Sequence, residues 1–155
     1  MSRICLGTLV AVVLLNACDR APESRVTAIE ARIDGITCPT CVPPLMASLK
    51  RQYAASTVEV DESKNTATVR FTPTDRFTPS QFRAAVERVR MRVVTFRMEA
   101  CGTVEAADGE TWLAVGSDRF LLRSDRDLPL RKPICAEGTL DTRSDPATFQ
   151  VRSFK

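Results

Sequence analysis

Residues 29–49 read IEARIDGITCPTCVPPLMASL and predict a strand, a cysteine-bearing loop and a helix, in that order. Apolar and charged residues alternate over 29–34, which is the period-two pattern of a strand with one buried face, and Gly35 ends it. Pro43 and Pro44 are tolerated in a first helical turn, where their missing N–H groups would lack a partner anyway. We expect this proline pair to delay the start of the helix.

The sequence that follows completes a βαββαβ order. The remaining elements of this order are strands at 57–60 and 66–71, a helix that begins at Thr78-Pro79, and a strand at 93–98. This order over residues 26–99 predicts an α+β fold, a ferredoxin-like sandwich with two helices on one face of an antiparallel sheet.

From Cys101 onward, short apolar segments alternate with turns. The predicted strands are 103–106, 111–115, 119–122, 134–140 and 149–154. Five strands at this spacing predict a second domain, residues 100–155, that is a small all-β barrel.

The N-terminus predicts export. Residues 6–15 form an uncharged apolar run that is shorter than the roughly 20 residues of a membrane span, so 1–17 have the layout of a signal peptide. The segment 15–18, LNAC, resembles the lipobox of bacterial lipoproteins. That resemblance implies lipidation of Cys18, a tether over 18–25 and a membrane-anchored protein on the periplasmic side. The alternative is ordinary secretory cleavage that leaves Cys18 a free thiol.

The composition limits which partners the protein can bind and which side chains can serve as metal ligands or catalytic groups. The chain has a net charge of only +3, which argues against a nucleic-acid partner, and it contains no His. The commonest metal ligand and the usual general base are thereby missing, so chemistry has to rely on sulfur, carboxylates or hydroxyls. We expect no enzymatic activity.

The stretch 33–41, IDGITCPTC, resembles the metal-binding signature of the heavy-metal-associated domain family, which includes copper chaperones and periplasmic mercury-binding proteins. The resemblance covers 26–98 and includes Leu45, Leu49 and the strand at 57–60. It implies that Cys38 and Cys41 bind a metal ion, which a transporter or another acceptor protein would receive. Two thiolates at a helix N-terminus, with no His, suit soft ions that accept linear coordination, Cu(I) or Hg(II).

Met91 stands where this family commonly has an aromatic residue. The fourth strand should run antiparallel to the first, so its start should lie at the same end as the cysteine loop. Met91 is therefore a candidate weak third ligand for Cu(I), and the alternative is that it packs beneath the loop.

Cys101 should lie at the far end of the sheet, ten residues past Met91, and is not expected to bind the metal. The C-terminal strands faintly resemble an OB-like barrel, in which the first and fourth strands are neighbours. That resemblance makes Cys135 the expected disulfide partner of Cys101 in an oxidising compartment. The alternative is two buried free thiols.

Three functions remain open. The first is metal capture or transfer through Cys38 and Cys41. The second is a periplasmic dithiol/disulfide redox protein, since CxxC pairs also exchange disulfides. The third is a structural lipoprotein in which these two cysteines form a local disulfide.

Overall fold

The structure, a computed structural model, describes residues 23–155. The predicted signal peptide, the lipidation of Cys18 and most of the tether lie outside these residues. The elements are β1 (Arg25–Asp34), a 3-10 turn (Pro39–Cys41), α1 (Val42–Gln52), β2 (Thr57–Asp61), β3 (Thr66–Arg70), α2 (Pro79–Glu87), β4 (Arg92–Ala107), β5 (Glu110–Val115), β6 (Asp118–Arg123), β7 (Pro133–Asp141) and β8 (Thr148–Phe154). Neither helix of the described part has the length and apolarity needed to cross a membrane.

The first half of the fold has the predicted βαββαβ order. Its strands are hydrogen-bonded in the order β2-β3-β1-β4 and all neighbours are antiparallel. One face of this sheet and the two helices bury a common core. The most buried side chains of β1, α1 and α2 are Ile29, Ala31, Ile33, Leu45, Leu49, Phe82, Ala85 and Val86. The chain is thus a mixed α+β protein, as predicted, and it has one large sheet and few helices.

The predicted separation of strands 93–98 and 103–106 was wrong, because both belong to the single 16-residue strand β4. One edge of β4 pairs with β1 and then with β5, and the other edge pairs with β7. The period-two pattern fails at Ala100, Cys101 and Gly102, which are all buried. The predicted domain boundary at 99/100 therefore lies within a continuous strand.

The second half closes on itself through β4. Hydrogen bonds join β4 to β5, β5 to β6, β6 to β8, β8 to β7 and β7 back to β4, so that each of the five strands has two neighbours. The β6–β8 pair is parallel and the others are antiparallel. At the bulge in β7, Gly138 lies against the Gln150 carbonyl, at a place where a Cβ would collide with backbone.

Polar contacts also join the two halves. Arg76 forms an ion pair with Asp118 at 3.2 Å, and Arg83 donates to the Thr142 hydroxyl at 2.6 Å. The amide of Gly116 donates to the Ser24 hydroxyl at 2.9 Å. Ser24, in the described end of the predicted tether, thus contacts the turn between β5 and β6.

Candidate metal site

The cysteine loop connects β1 to α1 through a 3-10 turn. Cys38 has extended backbone, and Pro39 begins the turn with the φ that its ring imposes. The amide of Cys41 donates to the Cys38 carbonyl at 2.9 Å, which closes the turn. Cys41 is the N-cap of α1, which begins at Val42. The expected delay of the helix by the proline pair was therefore wrong, because the turn leads directly into the helix.

This turn brings the two cysteine side chains together. The structure joins Cys38 and Cys41 in a disulfide, with their Cα atoms 5.4 Å apart. Both cysteines are half-buried, and Pro39 and Thr40 between them are exposed. Ile36, which is only 4% exposed, holds the preceding part of the loop in the core. The two sulfurs thus lie close together on a loop that the buried Ile36 fixes to the core, and both remain partly accessible to solvent.

Most backbone positions in the first turn of α1 have no free N–H group to donate to the cysteine sulfurs. The Val42 amide donates to the Pro39 carbonyl, and the next two residues of α1 are prolines with no N–H. Few free amides therefore remain to stabilise a thiolate at this end of the helix. The Thr40 hydroxyl lies 3.2 Å from the Cys38 sulfur and can donate to a thiolate there. Sequence analysis missed this role of Thr40, which a hydroxyl residue between the two cysteines could have suggested.

Met91 is buried beside the loop. Its side chain packs against Gly35, whose φ of +108° suits a residue without a Cβ, and a Cβ on Gly35 would lie 3.1 Å from the Met91 Cγ. Asp34 pairs with Arg92 in register, so the start of β4 does lie at the loop end of the sheet. Met91 is 7% exposed and belongs to the core.

The rest of the described chain adds no further metal-binding cluster. Within residues 23–155, no group of three or more His, Cys, Asp or Glu side chains is arranged to hold a metal ion. Once the disulfide is reduced, the candidate site therefore offers two sulfur ligands. A third ligand from the described residues would have to be a group other than a His, Cys, Asp or Glu side chain.

The second cysteine pair lies elsewhere. Cys101 faces Cys135 across β4 and β7, and the two form a disulfide, the pair expected from the sequence. In register, Cys101 lies opposite Arg25 at the start of β1, whereas the metal loop follows Asp34 at its end. The nine residue steps between them span roughly 30 Å at about 3.3 Å each. This disulfide is therefore not part of the candidate metal site.

The second helix ends in an unusual way close to the site. Arg90 has a φ of +61°, and its amide donates to the Glu87 carbonyl at 2.9 Å. The amide of Met91 donates to the Val86 carbonyl at 3.4 Å. This is the Schellman pattern, in which the left-handed position is usually Gly. Sequence analysis did not single out Arg90, although the missing Gly after the helix is visible in the sequence.

The chain was compared with protein families and with known proteins. The family model of the heavy-metal-associated domain matches residues 30–89, which include the cysteine loop, both helices and β2–β3. Comparison with curated proteins and with solved structures gives no match. The matched segment contains the convergent CxxC pair and the first five elements of the βαββαβ order, and β4 directly follows it. Residues 30–89 of this chain thus match the heavy-metal-associated domain family, as the sequence motif predicted.

Proposed function

We propose that this protein is exported, is lipid-anchored through Cys18 on the periplasmic side of a bacterial membrane, and captures or transfers a soft metal ion, Cu(I) or Hg(II). The observation that carries the proposal is the convergence of Cys38 and Cys41 on an exposed loop of a heavy-metal-associated domain. Domains of this family bind soft heavy-metal ions in general and are typically not enzymes. A membrane transporter or another acceptor protein would receive the ion.

The choice of these two ions follows from the ligand set. Cu(I) and Hg(II) accept two thiolates in linear coordination, whereas Zn(II) usually takes four ligands. The half-exposed sulfurs allow an incoming thiolate from a partner to reach the bound ion. Transfer by stepwise thiolate exchange then needs no opening of the fold.

Binding requires the reduced pair, because a disulfide has no thiolate to offer. An external dithiol would supply two electrons, becoming a disulfide while Cys38 and Cys41 become thiols. The reduced protein should then be titrated with Cu(I), Hg(II) and Zn(II) against competing chelators. We expect one Cu(I) or Hg(II) per chain and far weaker Zn(II) binding.

The matched control is the Cys38→Ser/Cys41→Ser variant, which keeps both loop positions small and polar. It should lose the high-affinity site while its fold, monitored by circular dichroism, stays intact. Undiminished binding of Cu(I) and Hg(II) by this variant would rule out the proposed site.

Met91 offers a finer test of the ligand set. If its thioether is a third ligand, Met91→Leu should weaken Cu(I) binding much more than Hg(II) binding. If Met91 only packs against Gly35, the two affinities should change together or not at all.

A second candidate function, dithiol/disulfide exchange, is favoured by the position of Cys38 and Cys41, which lie close enough to form a disulfide. In that reaction a partner thiolate attacks one sulfur, forms a mixed disulfide and releases the other cysteine as a thiolate. Its measurable signature is a reduction potential within the range of periplasmic thiol oxidoreductases. A potential far below that range, together with tight metal binding, would exclude it.

We further propose that the C-terminal five-strand ring is an OB-like barrel that acts as a docking or spacer module. Numbered within the ring, the strands pair in the order 1-2-3-5-4 and back to 1, with a parallel 3–5 pair. A five-stranded barrel with Greek-key connections is the OB arrangement. Because β4 runs through both halves, the ring would hold the metal-binding half in a fixed orientation.

A further inference from the structure

We propose that the Cys101–Cys135 disulfide is a thiol-exchange site, at which a low-molecular-weight thiol attacks the Cys135 sulfur. This activity goes beyond the proposed function, because it uses neither Cys38 nor Cys41. The disulfide joins β4 to β7, the two strands between which the C-terminal ring closes. The starting observation is that both of its cysteines lie in the wall of a cleft.

The cleft is open to solvent and has a volume of about 530 Å³. Besides the two cysteines, its lining includes Thr27 of β1, Glu99 of β4 and Ser153 of β8. Pockets that bind small molecules usually measure roughly 300 to 1,000 Å³. The cleft therefore has room for a molecule of about tripeptide size. This is why we infer a low-molecular-weight thiol, and not a cysteine of a folded protein, as the reactant.

The backbone determines how Cys135 is placed in this wall. Its amide donates to the Lys155 carbonyl and its carbonyl accepts from the Lys155 amide, both at 3.0 Å. Because the amide and carbonyl of a strand residue point to the same side, Cys135 faces Cys101 as a pair without hydrogen bonds, in which side chains are closest. Cys135 is half-buried, whereas Cys101 is only 8% exposed. Cys135 therefore offers the more accessible sulfur.

The exchange consumes two small thiols. The thiolate of the first attacks the Cys135 sulfur and forms a mixed disulfide, while the bond to Cys101 breaks and Cys101 leaves as a thiolate that takes up a proton. The second thiolate attacks the sulfur of the attached small thiol. Cys135 then leaves as a thiolate and takes up a proton, and the two small thiols are released as a disulfide. Two electrons thus pass to the protein, and exposed disulfides are the ones that react most readily in this way.

The test uses the full chain with Cys38→Ser/Cys41→Ser, in which Cys101–Cys135 is the remaining disulfide of residues 23–155. Reduced glutathione, a tripeptide thiol, is added at several urea concentrations below the unfolding transition, and samples are quenched with acid. Because the folded protein reacts, the rate of reduction should be proportional to the glutathione concentration and almost independent of urea. Mass spectrometry of peptides should find the first attached glutathione on Cys135.

Two substitutions on β8 test whether the thiol enters through the cleft. Ser153 and Gln150 are both exposed, but of the two only Ser153 lines the cleft. Ser153→Trp should fill part of the cleft and slow the reduction about ten-fold, whereas Gln150→Trp should leave the rate within about two-fold. The melting temperatures of both variants show whether each is folded. If Ser153→Trp does not fold, the urea dependence and the peptide mapping still decide.

Three results would overturn the inference. A rate that rises with urea as steeply as global unfolding would mean that the disulfide opens only in the unfolded chain. A first glutathione on Cys101 would reverse the direction of attack. Equal rates in folded Ser153→Trp and Gln150→Trp would exclude the cleft as the route. Each of these results leaves metal binding at Cys38 and Cys41 untouched, since those cysteines are replaced in the protein that is tested.

Discussion

Removing the Cys101–Cys135 disulfide should destabilise the protein strongly, although it lies far from the metal loop. The bond closes a chain segment with a sequence separation of 34, which includes β5 and β6. Loop-closure entropy for that length contributes about 4 kcal/mol at 25 °C. The Cys101→Ala/Cys135→Ala variant should therefore unfold at a lower denaturant concentration, and its melting temperature should fall by roughly 10 to 15 °C.

The assay is urea unfolding with and without reductant, followed by tryptophan fluorescence and circular dichroism. Reductant should lower the stability of the wild type to that of the reduced variant, and it should lower the variant only slightly, because there it opens only the Cys38–Cys41 disulfide. As a matched control, Cys38→Ser/Cys41→Ser removes a disulfide with a sequence separation of only 3 and should cost much less. Equal unfolding free energies of wild type and the Cys101→Ala/Cys135→Ala variant without reductant would refute the reasoning.

Three further changes test other parts of the fold. Gly138→Ala should cost about 1 to 3 kcal/mol or more in the free energy of unfolding, because the new Cβ meets the Gln150 backbone; unchanged urea unfolding would contradict this. Leu45→Ala, at a fully buried position of α1, should cost about 2 to 5 kcal/mol in the same assay, and a smaller loss would mean that the core refills the cavity. Hydrogen bonding by the Arg143 side chain lowers the pKa of Asp141 from 3.8 to about 2. The ionised carboxylate therefore stabilises the fold above about pH 4, and this contribution is lost as the pH falls through about 2. Arg143→Ala should raise the pKa of Asp141 towards 3.8 in an NMR titration, and an unmoved pKa would exclude this pairing in solution.

The site was predictable because its parts are close in sequence. The Cys38–Cys41 spacing, the prolines and the apolar stripe of α1 all act within a few residues, and local patterns report such effects directly. The lead-in to the cysteine pair and the buried Leu45 and Leu49 are likewise local features. The helix start was placed too late, because the 3-10 turn at Pro39 depends on a hydrogen bond that composition does not reveal.

The shared strand was not predictable in the same way. Ala100, Cys101 and Gly102 are buried together, which removes the alternation by which a half-buried strand is identified. Their burial comes from neighbours far away in sequence. Gly102, for example, lies against the carbonyl of Ala114 on β5.

By itself, the sequence determined the βαββαβ order, the CxxC pair at a helix entrance and the last four strands, β5–β8, because these follow from periodicity and turn residues over short stretches. Only the tertiary structure decided that β4 belongs to both halves and closes the five-strand ring. It also decided that Arg90, with a left-handed backbone, closes the end of α2. Such features depend on which distant segments share hydrogen bonds and exclude water, and that is settled only when the whole chain packs.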